Sequence, residues 1–337
     1  MITLKNLLKR MAKWLVGTWA VRRILTSDLL FKLCFRRGLF VFLFHEVSDR
    51  PSPFNHEHNL NITPGQFKDQ IETIKDLFTV ISPETLETSR FSTPAAMITF
   101  DDGMEGTFTN ALPILEAQEC PSLIFMNMGP VDGDIFWSGL IVYLCKHHPD
   151  FVEGLKQRLG GQVGAQLFLQ CTKDFVHEYL ESQDRDEIYR KVRAYYGSFS
   201  KREDLEKAQK SQLVSIGNHL YNHYNCQTLD DKSLEEAYEQ NESAMEPYRN
   251  KVPMFSYPFG QPQTCYSQRT NQVIKKMGAR YIFSAHSAIN FKRTSKFLYR
   301  LPIEPHIKTK DDFKMMFIKV AFRQLFDRRY LQHETNL

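Results

Sequence analysis

The run Ala95-Ala96-Met97-Ile98-Thr99-Phe100-Asp101-Asp102-Gly103 is short, apolar and partly β-branched, and it stops abruptly on two carboxylates and a glycine. A strand ending in a turn is the reading its composition supports. Moving outward from it, six more runs share that character, at 39–44, 122–128, 213–216, 254–257, 281–284 and 297–301. Helical stretches separate several of them. Thr63-Pro64 opens one, with Phe67, Ile71, Ile74 and Leu77 on one face; others span 107–118 and 234–248, and one over 268–277 stops at Gly278, a natural C-cap. Strand and helix in alternation predict an α/β fold with a parallel sheet, open or closed into a barrel.

In such folds reactive side chains collect where strands finish, because the sheet positions them while the loops vary. Here one strand runs into His45, another into Asp101-Asp102-Gly103, and a third through Gly217-Asn218 into His219. A fourth leads to Tyr257-Pro258-Phe259-Gly260 and a fifth to Arg300. One polar ending is a solvated loop; five on one rim suggest a site.

Two adjacent carboxylates repel, so a fold that buries them needs a cation, a proton or strong donors nearby. Asp101-Asp102-Gly103 alone is equally an ordinary turn in which both acids bond backbone donors. His219-Leu220-Tyr221-Asn222-His223 shifts the balance, because two imidazoles four residues apart share a face if the loop enters a helix, and so grip one zinc-like ion. Together the two motifs suggest a His-His-Asp site with open coordination for water and substrate.

The run Thr99-Phe100-Asp101-Asp102-Gly103, then Gly217-Asn218-His219-Leu220-Tyr221-Asn222-His223, then Phe255-Ser256-Tyr257-Pro258-Phe259-Gly260, resembles in order and spacing the polysaccharide deacetylases of the NodB-homology type. The strand entering His45-Glu46-Val47 is similar to the one that begins many members, and the resemblance spans about 40–305. It implies a distorted (β/α) barrel of about seven strands that hydrolyses the N-acetyl group of amino sugars with one divalent metal, zinc by preference. Carried over by position, it makes Asp101 the general base and gives the metal to Asp102, His219 and His223. It also puts Tyr257, Pro258, Phe259 and Gly260 against substrate, with the backbone amide at Phe259 helping to bind the oxyanion.

Two departures stand out. Where many members carry an arginine that orients the base, this chain has Ser256, and Arg300 is the candidate replacement through charge-assisted contact with Asp101. The acid is the second: the late histidine of the family has no clean match, and His45, His306 and His286 are candidates, His45 and His306 ahead of His286. For each alone, a hydrogen-bonded structural histidine is the competing reading. His56, His58 and His147-His148 read as loop or insertion residues, and the aromatics of Asp134-Ile135-Phe136-Trp137 as sugar platform or plain core.

Composition sets the outer bounds. The chain has 337 residues, 42% apolar and 24% charged, which excludes wholesale disorder. A mean hydropathy of −0.40 excludes a polytopic membrane protein. Six scattered cysteines without a C-x-x-C pair make a cysteine-built zinc knot unsuitable and favour a reducing compartment, the cytoplasm. No phosphate loop, dinucleotide fingerprint or nucleophile elbow is present.

The net charge of +4 is uneven. Residues 1–44 hold nine basic side chains and one acid, Asp28, a net of +8, which leaves −4 on the remainder. No nucleic-acid face is expected from that balance; a local contact with an anionic surface is. Residues 1–36 read as a basic amphipathic helical segment, with Leu4, Leu7, Leu8, Met11, Trp14, Leu15 and Val21 striped between cations. Lying on a membrane surface is the first expectation, packing on the parent domain the second and a cleaved signal the third. A catalytic domain over 37–310 follows, interrupted at 138–210 by a helical insertion of the kind that covers or shapes a site, and 311–337 forms a basic C-terminal helix that either contacts the same surface or closes the fold.

The expected function is metal-dependent N-deacetylation of an amino sugar in a polysaccharide or glycolipid, with Asp101 taking the proton of the attacking water. If the basic ends meet a membrane, a lipid-linked saccharide at the cytoplasmic face is the natural substrate. The competing readings are an inactive glycan-binding member of the same fold, and a glycosidase that would leave the two histidines without a purpose. Oligomeric state leaves no signature in the sequence.

Overall fold

The structure, a computed structural model, describes residues 23–326 except 89, 162–165, 293 and 304–305, so the amphipathic stripe before residue 23 and the tail beyond residue 326 lie outside the described residues. Its strands are β1 (Leu39–Phe44), β2 (Glu46–Val47), β3 (Asn61–Ile62), β4 (Thr79–Val80), β5 (Ala95–Phe100), β6 (Ser122–Met126), β7 (Val214–Asn218), β8 (Lys251–Ser256), β9 (Tyr281–Ser284), β10 (Phe297–Tyr299) and β11 (Leu301–Pro302). β2 and β3 form a small separate pair. The remainder make one parallel sheet in the order β10-β9-β8-β7-β6-β5-β1-β11, with β4 beside β5.

The two ends of that order are neighbours in the chain. Only Arg300 separates β10, which pairs with β9, from β11, which pairs with β1. One stretch, 297–302, therefore serves both edges and brings the sheet round almost to a closed barrel. Counted once, it makes seven strands round the barrel, as expected, with the short β4 an eighth beside β5.

Where β10 leaves β1 unpaired, Asn290 fills the seam. Its backbone exchanges hydrogen bonds of 2.8 and 3.1 Å with Leu39, while its side chain accepts from the Tyr299 N–H at 2.9 Å and donates to the carbonyls of Tyr299 and Leu39 at 2.9 and 3.2 Å. Backbone groups that would otherwise be orphaned at the seam are thereby satisfied.

Side chains alternate across each strand. Leu39, Val41, Met97, Leu123, Phe125, Met254, Tyr281, Phe283 and Leu298 fill the barrel as one apolar cluster. Phe40, Phe42, Phe44, Ile98, Phe100 and Ile124 point outward into the helical layer. Carried one step past the strand ends, the same alternation turns His45, Asp101, His219, Ser256 and Arg300 inward, above the apolar plug. Phe125 marks the boundary, with the Arg300 guanidinium 5.4 Å from its ring centre.

Helix Pro64–Leu77 starts on a capping box between Thr63 and Gln66, and helix Gln268–Lys276 ends before Gly278, whose φ of 103° suits glycine. Helix Lys310–Phe326 descends along the outside of β1, with Phe313 on Phe42 and Phe317 on Phe40 at ring-centre separations of 6.5 and 4.8 Å. Each buried ring there is worth about 2–3 kcal/mol. This helix closes the fold along one side.

Between β6 and β7 lie helices Trp137–His147, Pro149–Arg158, Lys173–Glu181, Arg185–Tyr196 and Arg202–Ala208. The apolar faces of the first four share a cluster that includes Phe54, Met104, Phe136 and Trp137 and reaches Phe168 and Phe259 at the barrel mouth, while Leu205 and Ala208 of the fifth join the outer layer against the sheet.

Candidate metal centre

Asp102, His219 and His223 meet at the C-terminal end of the barrel, each offering one ligand atom within 4.8 Å of the others. Asp102 Oδ1 lies 3.3 Å from His223 Nε2 and 3.6 Å from His219 Nε2. Three ligands about 2.1 Å from one tetrahedral ion stand about 3.4 Å apart, so the spacing fits such an ion.

The donor chemistry agrees. His219 Nδ1 lies 2.8 Å from the Ser256 carbonyl, which can only accept, so the proton sits on Nδ1 and the Nε2 lone pair faces Asp102. His223 Nδ1 is held by Ser138 Oγ at 2.5 Å, again leaving Nε2 towards the centre. Burial pushes both imidazoles below their ordinary range, keeping the lone pairs unprotonated. Asp102 Oδ1 is buried and has no hydrogen-bond partner among the described residues. A divalent cation would satisfy that orphaned oxygen.

Asp101 and Asp102 are split in character. Burial, reinforced by the charge of Asp101, holds the Asp102 carboxyl well above the usual range. Burial acts on Asp101 in the same sense, but the Arg300 guanidinium, followed by His219, outweighs it and holds that carboxyl well below. Arg300 is completely buried and grips Asp101 through two parallel bonds, Nη1 to Oδ1 at 2.6 Å and Nη2 to Oδ2 at 2.7 Å. Nη2 also donates to Ser256 Oγ at 2.7 Å, and Nε to the Ser284 carbonyl at 3.2 Å. The serine that stands where an arginine was expected thus helps to hold an arginine from another strand. Asp101 Oδ2 is 3.7 Å from His219 Nε2, beside the centre.

The backbone is bent around these groups. Asp102, Leu220, His223 and Phe259 all have positive φ, between 59° and 70°. Non-glycine residues there cost about 1–3 kcal/mol each and persist only where their surroundings enforce them. Three buried asparagines do so for the histidine loop. Asn127 donates to the carbonyls of His219 and Leu220 at 2.5 and 2.8 Å. Asn218 accepts from the Leu220 N–H at 2.8 Å, and Asn241 ties Asn218 to the Met126 carbonyl with bonds of 2.9 and 2.8 Å.

The remaining sequence candidates divide. His45 is partly buried and close enough to Asp101, Arg300 and His219 to feel their charges; burial pushes it down to about 4. His306 is exposed in a turn after β11. His286 rests with its ring 5.9 Å from that of Tyr299.

Of the loop after β8, Phe259 leans over the centre, its ring 4.7 Å from that of His223 and 6.1 Å from that of Phe168. Its backbone N–H donates to no acceptor among the described residues. Pro258 and Gly260 form the tight turn beneath it, and a Cβ on Gly260 would lie 2.4 Å from the Ala285 amide nitrogen. Tyr257 faces away: Ser256 points inward, so its neighbour points outward, where it is buried against Tyr266 and donates to Asn271 Oδ1 at 2.7 Å. Its side chain is core, not pocket lining. Ser138 and the three asparagines were missed in the sequence; a serine or asparagine holding a ligand or its carbonyl carries no spacing signal. Phe136, 5.2 Å from the His223 ring, sits against the centre where the sequence offered sugar platform or core.

A profile of the polysaccharide deacetylase family matches residues 88–282, more than half of the chain. No curated protein matches it in sequence. Among solved structures, the chain is similar to the Streptococcus pyogenes deacetylase PplD in complex with acetate, at 14% identity and a TM-score of 0.55, covering 83% of this chain and 98% of that one. IcaB from Ammonifex degensii is similar at 16% identity and 0.55, covering 83% and 97%. A de-N-acetylase from Aggregatibacter actinomycetemcomitans aligns at 14% identity and 0.56, covering 83% and 100%. At these identities the likeness is one of fold.

Proposed function

The chain belongs to the polysaccharide deacetylase family, and from that premise we propose that it hydrolyses the N-acetyl group of an amino sugar in a polysaccharide or glycolipid. The observation that carries the reading is the pairing of a three-residue ligand set with a neighbouring aspartate that stays off it, clamped by Arg300. Asp102, His219 and His223 would hold one divalent ion, with zinc the first choice for a mixed nitrogen and oxygen set. When bound, that ion supplies Lewis acidity, polarising the amide carbonyl and acidifying water.

The chain's own groups divide the rest. Asp101, ionised and fixed in plane by Arg300, takes the proton of the attacking water on Oδ2, the oxygen turned towards the centre. The Phe259 N–H, which bonds no acceptor among the described residues, would receive the developing oxyanion. His45, close to Asp101 and neutral at neutral pH, would pass to the departing amine the proton that Asp101 takes from the water. Phe259 and Phe168, both half-buried, offer ring faces to a pyranose. A missing motif arginine and an unassigned acid made an inactive glycan binder the alternative, and the contact of Arg300 with Asp101 speaks against the first of these grounds.

Acetate release from N-acetylglucosamine oligomers tests the proposal. The metal-loaded protein should release acetate, and Asp101→Asn should lower the rate by about 10²- to 10⁴-fold while retaining metal. Equal rates in the two proteins would reject Asp101 as the base, and no release from any N-acetylated oligomer would reject the activity.

A further inference from the structure

The base of the barrel, opposite the metal centre, carries a surface the deacetylase chemistry does not use. The large apolar side chains exposed among the described residues are Ile24, Leu29, Leu33, Phe291, Phe322 and Leu325, with Leu29 at 74% and Leu325 at 76%, and Leu33, Phe291, Phe322 and Leu325 are the ones nearest that end. They come from three separate segments that the fold ties together. Helix Asp28–Phe35 crosses helix Lys310–Phe326, with Phe31 6.0 Å from Phe317 and Lys314 bonded to both Asp28 and the Thr26 carbonyl. The loop bearing Phe291 is clasped to the end of the second helix by two bonds between Gln324 and the Ile289 backbone, at 3.1 and 3.0 Å.

Position follows from strand direction. Arg36, Arg37 and Gly38 lead into β1, and the descending helix reaches Phe322 and Leu325 after Phe317 has passed Phe40. Leu33, Phe291, Phe322 and Leu325 thus sit towards the N-terminal end of the strands, with Leu29 further up the side of the barrel, and the metal centre lies at the C-terminal end. A six-residue strand separates the two by about 20 Å.

The three segments themselves are strongly cationic. Lys32, Arg36, Arg37, Lys292, Lys319 and Arg323 are exposed on the same three segments. The described residues of 286–303 and 319–326 contain no acid, and those of 23–37 contain only Asp28, whose carboxylate is taken by Lys314. Scattered exposed apolar residues need no explanation, but several brought together from three segments among exposed cations mark an interaction surface.

We propose that this base face docks on an anionic lipid bilayer, its leucines and phenylalanines entering the interface and its arginines and lysines lying among the headgroup phosphates. No helix among the described residues is long and apolar enough to cross a membrane, so the contact is interfacial. The docked orientation turns the metal centre away from the lipid. On the deacetylase reading, the sugar it reaches stands about 20 Å or more from the headgroup plane, which favours an extended glycan over the first sugar of a lipid-linked one.

Co-sedimentation of the full chain with vesicles tests the face independently of any activity. Binding to phosphatidylcholine vesicles containing 30% phosphatidylglycerol should exceed binding to pure phosphatidylcholine by about tenfold or more. Raising salt to about 0.5 M should remove most of that difference. The Leu29→Ser, Leu33→Ser, Leu325→Ser triple variant alters only exposed side chains and should keep the wild-type melting temperature and metal content, yet lose binding by about tenfold or more. Arg36→Glu with Arg37→Glu should do the same at low salt. Wild-type protein that stays in the supernatant with anionic vesicles overturns the proposal, as does a triple variant that binds them like wild type. A wild-type dimer that the triple variant splits, without vesicle binding by either, gives the face to a second copy of the chain and also overturns it.

Discussion

Asp101 and Asp102 share a peptide bond yet are driven to opposite protonation preferences, and Arg300 is the cause on one side. The guanidinium makes Asp101 a well-placed but weak base, giving up basicity for a fixed orientation. Arg300→Gln should therefore raise the pKa of Asp101 and move the acidic limb of the kcat/KM profile to higher pH, a change that a purely structural role would not produce. It should also cost about 3–5 kcal/mol of stability, because Asp101 is left buried without its partner. Since the Asp101 pKa is depressed in the folded state, the pair's contribution is present at neutral pH and is lost as pH falls below the usual carboxylate range. An unmoved acidic limb in Arg300→Gln would remove Arg300 from the mechanism.

Glu46 tells the reverse story. It is buried beside the helix start at Gly106, where a Cβ would meet its Oε1 at 1.8 Å, and burial raises its carboxyl from the usual 4.5 to about 7. Stability tied to this proton is complete below the unfolded value and is lost as pH rises through about 7. Glu46→Gln should be more stable than wild type at pH 8 by up to about 3 kcal/mol, with the gap closing towards pH 5. Parallel denaturation curves at the two pH values would show it; a gap that does not change with pH would mean that Glu46 is ionised in the fold.

At the scale of elements, the barrel closes through an irregularity. A continuous last strand would pair with both neighbours along its length, whereas here the pairing switches sides at Arg300 and Asn290 covers the gap. Asn290→Ala should leave buried backbone groups at Tyr299 and Leu39 unpaired and cost about 2–3 kcal/mol, read from chemical denaturation. A loss under 0.5 kcal/mol, the scale of a neutral surface change, would mean the clasp is ornamental. Strand existence was plain in the sequence, because apolar runs at 39–44, 95–100 and 281–284 match β1, β5 and β9 end for end. The inward turn of His45, Asp101 and His219 was legible too, from where those runs stop. What the sequence hid was the break at Arg300, which looks like one strand with a charge near its end, and the outward turn of Tyr257, which follows from β8 reaching Ser256. Ser138 and the asparagine supports belong to the same hidden class, since they matter through contacts across 85 residues or more for Ser138 and Asn127.

Over the whole molecule, the two ends of the barrel have separate tasks. The C-terminal end gathers three ligands and a clamped base under the aromatic cover of Phe136, Phe168 and Phe259. The other end gathers exposed apolar residues and cations from three segments. The sequence showed the charge asymmetry of residues 1–44, but not that the segments bearing Leu33, Phe291 and Leu325 would be tied together, because that juxtaposition is made only by the fold. All rests on the centre at the catalytic end. The direct measurement is elemental analysis of purified wild type, Asp101→Asn and His219→Ala after saturation with zinc and removal of excess. About one ion per chain is expected in the first two and almost none in the third, as befits a three-ligand site with Asp101 outside it. A wild type without metal, or a His219→Ala protein that keeps a full equivalent, would mean that these side chains do not hold an ion together.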